Sequence, residues 1–192
     1  MSVSRLFPLL LLPLGLSSCS SGESNKDPVA EAKFKNEKRI GDEAITEKQE
    51  QDAEYVVNTA SHNMFVRDAS QLAQTKSTAP AVKALAQSLV AQHAANQQTI
   101  QTLAAQKNIV LPTGLGGDQA QTLGQLAALN GAAFDQKYTD ALIDLHKKAV
   151  DEAEDMRDEA YDGDIRQLAT QQLPLLKQHL EAAEELQDQL KK

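Results

Sequence analysis

Residues 132–190, AAFDQKYTDALIDLHKKAVDEAEDMRDEAYDGDIRQLATQQLPLLKQHLEAAEELQDQL, contain the pattern that decides the fold. Apolar side chains recur at intervals of three and four from Phe134 to Met156, and again from Ile165 to Leu190. This spacing places each set on one face of a helix. The polar sequence Asp162-Gly163-Asp164 between the two sets is typical of a tight connection, in which Asp164 can cap the second helix. The segment therefore predicts a helical hairpin.

A second hairpin is predicted before the first. Helical periodicity extends over residues 52–76 and 80–108, with Ser-Thr-Ala-Pro at the turn between them. The connection from this hairpin to the next is long and glycine-rich, and it contains a short helical segment at 118–129. Two hairpins joined by one long connection are the plan of a ferritin-like four-helix bundle. A plain up-and-down bundle is the alternative, because loop length alone does not fix topology. We predict an all-α domain over residues 52–192.

The N-terminus resembles a bacterial lipoprotein signal. An apolar run from Leu6 to Leu16 follows Arg5, and it is too short to span a bilayer, which requires about 20 apolar residues. The run ends in Leu16-Ser17-Ser18-Cys19, which resembles a lipobox. We therefore expect residues 1–18 to be a signal peptide and Cys19 to be lipidated. An ordinary cleavage site beside a chance cysteine is the alternative. Ser20 stands where an aspartate would favour inner-membrane retention, so we expect an outer-membrane lipoprotein that faces the periplasm.

The composition limits the partners and the chemistry. Residues 19–51 are mostly charged or small, which predicts a tether between the lipid and the domain, although residues 29–51 could form a solvated helix. The chain has 27 Asp and Glu against 19 Lys and Arg, and this acidic balance argues against a nucleic-acid partner. Cys19 is the only cysteine, so its lipidation would leave no thiol for catalysis or metal binding. The expected partner is the membrane, together with an unidentified envelope protein.

The four histidines of the chain form the one constellation that could carry chemistry. Each predicted long helix contains one of them: His62, His93, His146 and His179. Each lies about 15 residues from the turn of its hairpin, which at 1.5 Å per residue corresponds to about 23 Å along the helix. The four residues therefore fall at one level. Neutral imidazoles from facing helices can bind Zn, Cu or Fe, and a bundle core is a usual place for such sites. Three further residues are candidates for additional or supporting ligands: Asp68, Tyr138 and Asp144.

Two other interpretations of the histidines remain open. They could be core residues hydrogen-bonded to one another or to nearby polar groups, in a structural or protein-interaction module of the cell envelope. The third interpretation is a ferritin-like oxidoreductase, but the Glu-x-x-His motif of di-iron sites is absent from the sequence. We assign no catalytic residue.

Several short motifs resemble one bacterial family, domain of unknown function 4142. They are Val82-Lys83-Ala84-Leu85-Ala86 with His93, Leu111-Pro112, Asn130-Gly131-Ala132-Ala133-Phe134-Asp135, His146-Lys147-Lys148-Ala149-Val150, and Leu173-Pro174-Leu175-Leu176 with His179-Leu180. The resemblance extends from about Asp52 to Leu186. It implies an exported bacterial protein, often a lipoprotein, with a ferritin-like bundle. It implies no activity.

Overall fold

A computed structural model of the chain describes residues 27–41 and 46–191. These residues form six α-helices and no strand: α1 Pro28–Ile40, α2 Thr46–Lys76, α3 Pro80–Gln106, α4 Gly117–Ala128, α5 Gly131–Glu159 and α6 Gly163–Leu190. The all-α prediction is confirmed. None of the described helices combines the length and the apolar character needed to cross a bilayer. Cys19 and the predicted signal peptide lie outside the described residues.

The four long helices pack pairwise, α2 with α3, α5 with α6, α2 with α5 and α3 with α6. Their directions follow from polar contacts at one end of the molecule. Asp52, near the start of α2, accepts hydrogen bonds from the backbone N–H groups of Tyr161 and Asp162 at 3.1 and 2.7 Å. Lys107, just after α3, lies 2.6 Å from both Asp162 and Asp164. Helices α3 and α5 therefore run in the same direction, and the connection that carries α4 runs the length of the molecule.

The apolar core consists of two separate clusters. One contains Val56 and Val57 of α2 together with residues near the end of α3 and near the α5–α6 turn. The other contains Phe65 and Val66 of α2 together with the first half of α3, Phe134 and the end of α6. Along every long helix, the histidine lies between a member of the first cluster and a member of the second. A polar layer thus separates two apolar regions.

Helix α1 lies within the stretch predicted to be a tether. Its N-cap, Asp27, accepts bonds from two backbone N–H groups of the first turn and, through Oδ2, from the N–H of Gly117 at 2.5 Å. Asn36 is buried, donates to the carbonyl of Val110 at 2.9 Å and accepts from its N–H at 2.7 Å. These bonds attach α1 to the connection after α3. Residues 27–41 and 46–51 therefore belong to the folded body, and the bundle does not begin at residue 52.

The cap of α6 also differs from the prediction. Asp162, and not Asp164, is the N-cap, and its Oδ1 accepts from the N–H groups of Asp164 and Ile165 at 2.8 and 3.3 Å. Both aspartates suit a helix N-terminus, so the pattern of residue types could not separate them.

Candidate metal centre

All four predicted histidines lie in one buried layer, one on each long helix. His62, His93, His146 and His179 are between 0% and 7% exposed. Five of their ring pairs have centroids 4.9 to 5.8 Å apart, the shortest being His62 with His146. The shared level expected from the helix lengths is therefore present.

Helical periodicity places each ring in this layer. His146 follows the fully buried Leu142 by four residues and precedes the buried Val150 by four, so all three point to the same side of α5. His93 occupies the same kind of position on α3, between Leu89 and Ile100. The apolar neighbours above and below fix the depth of each imidazole.

Three of the histidines bring ring nitrogens close to a common point. One ring nitrogen from each of His62, His93 and His146 lies within 4.8 Å of the other two. Three atoms no more than 4.8 Å apart all lie within about 2.8 Å of some shared centre, whereas zinc–nitrogen bonds are about 2.0–2.1 Å long. A contraction of less than 1 Å per ring, about what small side-chain rotations supply, would therefore close a three-nitrogen site.

Hydrogen bonding fixes the tautomer of His93. The side-chain amide of Asn63 donates through Nδ2 to the carbonyl of Thr59 at 3.0 Å, so its Oδ1 faces α3. This oxygen lies 2.6 Å from Nδ1 of His93 and also accepts from Nδ2 of Asn96 at 3.2 Å. Because Oδ1 can only accept, His93 carries its proton on Nδ1. Its Nε2 is buried, bears a lone pair and has no hydrogen-bond partner among the described residues.

His146 and His179 show the same arrangement. Nδ1 of His146 donates to the backbone carbonyl of Leu142 at 2.8 Å, and its Nε2 is buried without a partner in the described structure. Nε2 of His179 donates to Oε1 of Gln92, and its Nδ1 is likewise buried and unpaired. Metal-bound histidines usually donate their other N–H to an oxygen in this way, which orients the ring and raises its basicity.

His62 differs because neither of its ring nitrogens has a partner among the described residues. A buried polar atom without a hydrogen bond costs about 1–3 kcal/mol. The layer contains five such nitrogens, two on His62 and one on each of the other rings. Buried unpaired groups at this density call for a ligand that supplies the missing partner.

Burial keeps the imidazoles uncharged. It lowers the pKa of His62 and His93 well below the ordinary value, with neighbouring histidines adding to the effect. Burial also lowers the pKa of His146 to about 4, against the opposing influence of its bond to Leu142, and it lowers the pKa of His179. Neutral imidazoles have the free lone pairs that metal binding needs.

The three additional ligand candidates do not join the layer. Asp144 is exposed on α5. Asp68 is half-buried and paired with Arg67, whose Nη2 lies 2.8 Å from its carboxylate. Tyr138 is fully buried, but its hydroxyl bonds to Ser70 at 2.8 Å, two helical turns from His146. The centre is therefore composed of nitrogen donors, without these oxygen ligands.

The supporting residues were not predicted. Asn63, Gln92 and Leu142 each accept a hydrogen bond from a histidine, and Gln172 donates to Oδ1 of Asn96 at 3.0 Å. One signal was present in the sequence, since Asn96 is a polar residue three positions after His93 on the apolar stripe of its helix. The carbonyl of Leu142 belongs to the backbone, so no residue type in the sequence indicates that it accepts from His146.

The fold and the site define a class: a helical domain whose long helices enclose a buried layer of four histidines. The chain belongs to the family described as domain of unknown function (DUF4142), whose model matches residues 39–186. No curated protein matches the chain at a significant level.

Two solved structures share the fold. The crystal structure of a DUF305 fragment from Deinococcus radiodurans is 14% identical, with a TM-score of 0.64, and the match covers 72% of this chain and 96% of that one. The structure of CopM in its Cu(II)-bound form is 17% identical, with a TM-score of 0.61 and the same coverages. At these identities the similarity establishes the helical fold alone.

Proposed function

We propose that this protein is a lipoprotein of the bacterial envelope, anchored through Cys19, that binds one transition-metal ion in the histidine layer. The observation that carries the metal proposal is the orientation of the rings. Three of them direct an N–H toward an oxygen acceptor, and the other nitrogen of each is buried without a hydrogen-bond partner in the described part of the chain. Histidines kept only for packing have no reason to share this orientation.

Copper is the first metal to test. The donor set is made of imidazole nitrogens, which suit copper, zinc, iron and nickel, and among divalent ions Cu(II) binds such donors most tightly. The fold neighbour CopM is a protein seen in a Cu(II)-bound form, which supports the same choice. No carboxylate of the described residues belongs to the cluster of three histidine nitrogens, which disfavours an oxygen-rich iron site.

Metal content tests the proposal directly. The whole protein is prepared without a histidine tag, and Cu(II), Zn(II) or Fe(II) is added separately before dialysis. We expect close to one copper per chain and a higher Tm in its presence, because a ligand that binds only the folded state stabilises it. His93→Ala and His179→Ala should weaken binding while retaining helical circular dichroism. If the protein binds much less than one metal ion per chain, and neither variant changes the binding, the proposal is wrong. The protein would then be a structural or protein-interaction module.

The anchor proposal has its own test. The N-cap of helix α1, Asp27, is the eighth residue after Cys19, and this stretch can span at most about 29 Å. Lipidation would therefore hold the domain close to the membrane. We expect Cys19→Ala to abolish incorporation of labelled fatty acid and to move the protein out of the outer-membrane fraction. Unchanged fractionation of this variant would contradict the proposal.

A further inference from the structure

An open cleft reaches the histidine layer from one side of the molecule. It has a volume of about 390 Å³ and lies between α1, the middle of α2, the start of α4 and the middle of α5. His62 is the one histidine among its described lining residues. This is also the histidine whose two nitrogens are both unpaired. The cleft therefore connects solvent with His62, the ring of the layer that has the fewest hydrogen bonds among the described residues.

A small cavity of about 10 Å³ continues this path inward. It shares His62, Ala149 and Glu152 with the cleft, and it also contacts Thr59 and Gln172. This volume is about the space that one water molecule needs. A small species that passes His62 from the cleft thus has room on the inner side of the same ring.

Glu152 is the carboxylate at the junction. Its Oε1 accepts from Nδ2 of Asn58 at 3.3 Å and lies 3.8 Å from Nζ of Lys148. Both contacts use Oε1, and Oε2 has no partner among the described residues. A carboxylate oxygen in this position can bind a hydrated cation. Two ammonium groups compete with such a cation: that of Lys148, a largely exposed and flexible side chain, and that of Lys33, which lines the same cleft and is paired with Glu54.

We propose that this cleft is the entry port for the metal ion, where Glu152 binds the hydrated divalent cation before His62 takes it into the layer. The step is a ligand exchange: the cation loses water as carboxylate oxygen and then imidazole nitrogen replace it, and no electron is transferred. The port rests on the proposed metal-binding function. In this proposal Glu152 affects how fast the metal ion enters the layer, but it is not a ligand of the bound metal ion.

Stopped-flow mixing of the whole apo-protein with Cu(II), followed by the Cu(II)–imidazole absorbance, tests the port. Glu152→Gln keeps the acceptor for Asn58 but removes the charge, and it should slow loading about tenfold, within the range of local electrostatic effects on association. Lys148→Gln removes the competing cation that lies 3.8 Å from Oε1 of Glu152, and it should accelerate loading. Both variants should still bind one copper per chain.

Matched controls come from neighbouring residues outside the cleft. Glu154→Gln is the control for Glu152→Gln, because it removes the same charge two residues along α5 from a side chain that is paired with Lys177. Lys147→Gln is the control for Lys148→Gln, because it removes the same charge from the adjacent residue, which is paired with Glu184. Equal rates in Glu152→Gln and Glu154→Gln would overturn the port while leaving the metal centre intact. Failure of the unmodified protein to bind copper would instead overturn the proposed function, and the port with it.

Discussion

His93 donates its Nδ1–H to Oδ1 of Asn63 across 2.6 Å, and its Nε2 is buried without a hydrogen-bond partner among the described residues. The amide of Asn63 is itself held by the carbonyl of Thr59 on the same helix. The ring orientation is therefore determined by residues that are not ligands, before any metal is present.

Asn63→Ala should weaken both metal binding and the fold. Loss of the acceptor leaves the N–H of His93 buried and unpaired, which costs about 1–3 kcal/mol of unfolding free energy. Loss of a group that orients a metal-bound histidine lowers affinity by about 10- to 100-fold. Copper titration and urea unfolding measure the two effects. Gln98→Ala, at an exposed site on α3, is the control, and an equal response in both variants would contradict the role of Asn63.

Stability of the metal-free protein should fall in mild acid. The folded-state pKa of His146 is about 4, below its ordinary value of 6.5. Between these values the unfolded chain binds a proton that the folded protein excludes, so stability is full above pH 6.5 and decreases as the pH falls toward 4. For His146 alone the difference corresponds to about 3 kcal/mol, and the lowered pKa values of the other three histidines act in the same direction.

Urea unfolding at about pH 7.5 and about pH 5 measures this dependence. His146→Gln has no group that titrates in this range at that position, so its stability should vary less between the two pH values. Equal midpoints for the unmodified protein at both pH values would show that the rings are not held neutral.

Helix α1 should depend on Asn36. Asn36→Ala removes both bonds to the backbone of Val110, and because one such bond contributes about 0.5–1.5 kcal/mol, the loss of two should cost about 1–3 kcal/mol. Amide hydrogen exchange in α1 should accelerate more than exchange in α5. Glu37 is exposed on the same helix, so Glu37→Ala should change neither the stability nor the amide exchange of α1. Unaltered exchange in Asn36→Ala would mean that α1 is held by other contacts.

The sequence predicted the long helices and the level of the histidines because both depend on local periodicity. Apolar stripes in α3, α5 and α6 mark the buried faces, and the distance of each histidine from its turn follows from the helix rise alone. The pattern was weak in α2. The structure explains why: α1 and α4 cover faces of α2 that the other long helices do not, so buried residues occur almost all around it.

Features that depend on long-range pairing were not predictable. Helix α1 is polar, with only Ala32 and Asn36 buried, and its position depends on bonds to Val110 and Gly117, far along the chain. Asp68, Asp144 and Tyr138 were proposed because their residue types suit metal binding. Instead, Asp68 pairs with Arg67, Asp144 is exposed to solvent and the hydroxyl of Tyr138 bonds to Ser70. Residue type and spacing cannot show which of several partners a polar group selects.

The most direct test of the metal centre is the electron paramagnetic resonance spectrum of the untagged whole protein with one equivalent of Cu(II). The chain has only four histidines, and all of them lie in the layer, so nitrogen couplings from imidazole can arise only there. We predict one copper per chain with couplings from at least three imidazole nitrogens. A spectrum of oxygen-ligated copper, or copper lost on dialysis, would contradict the account.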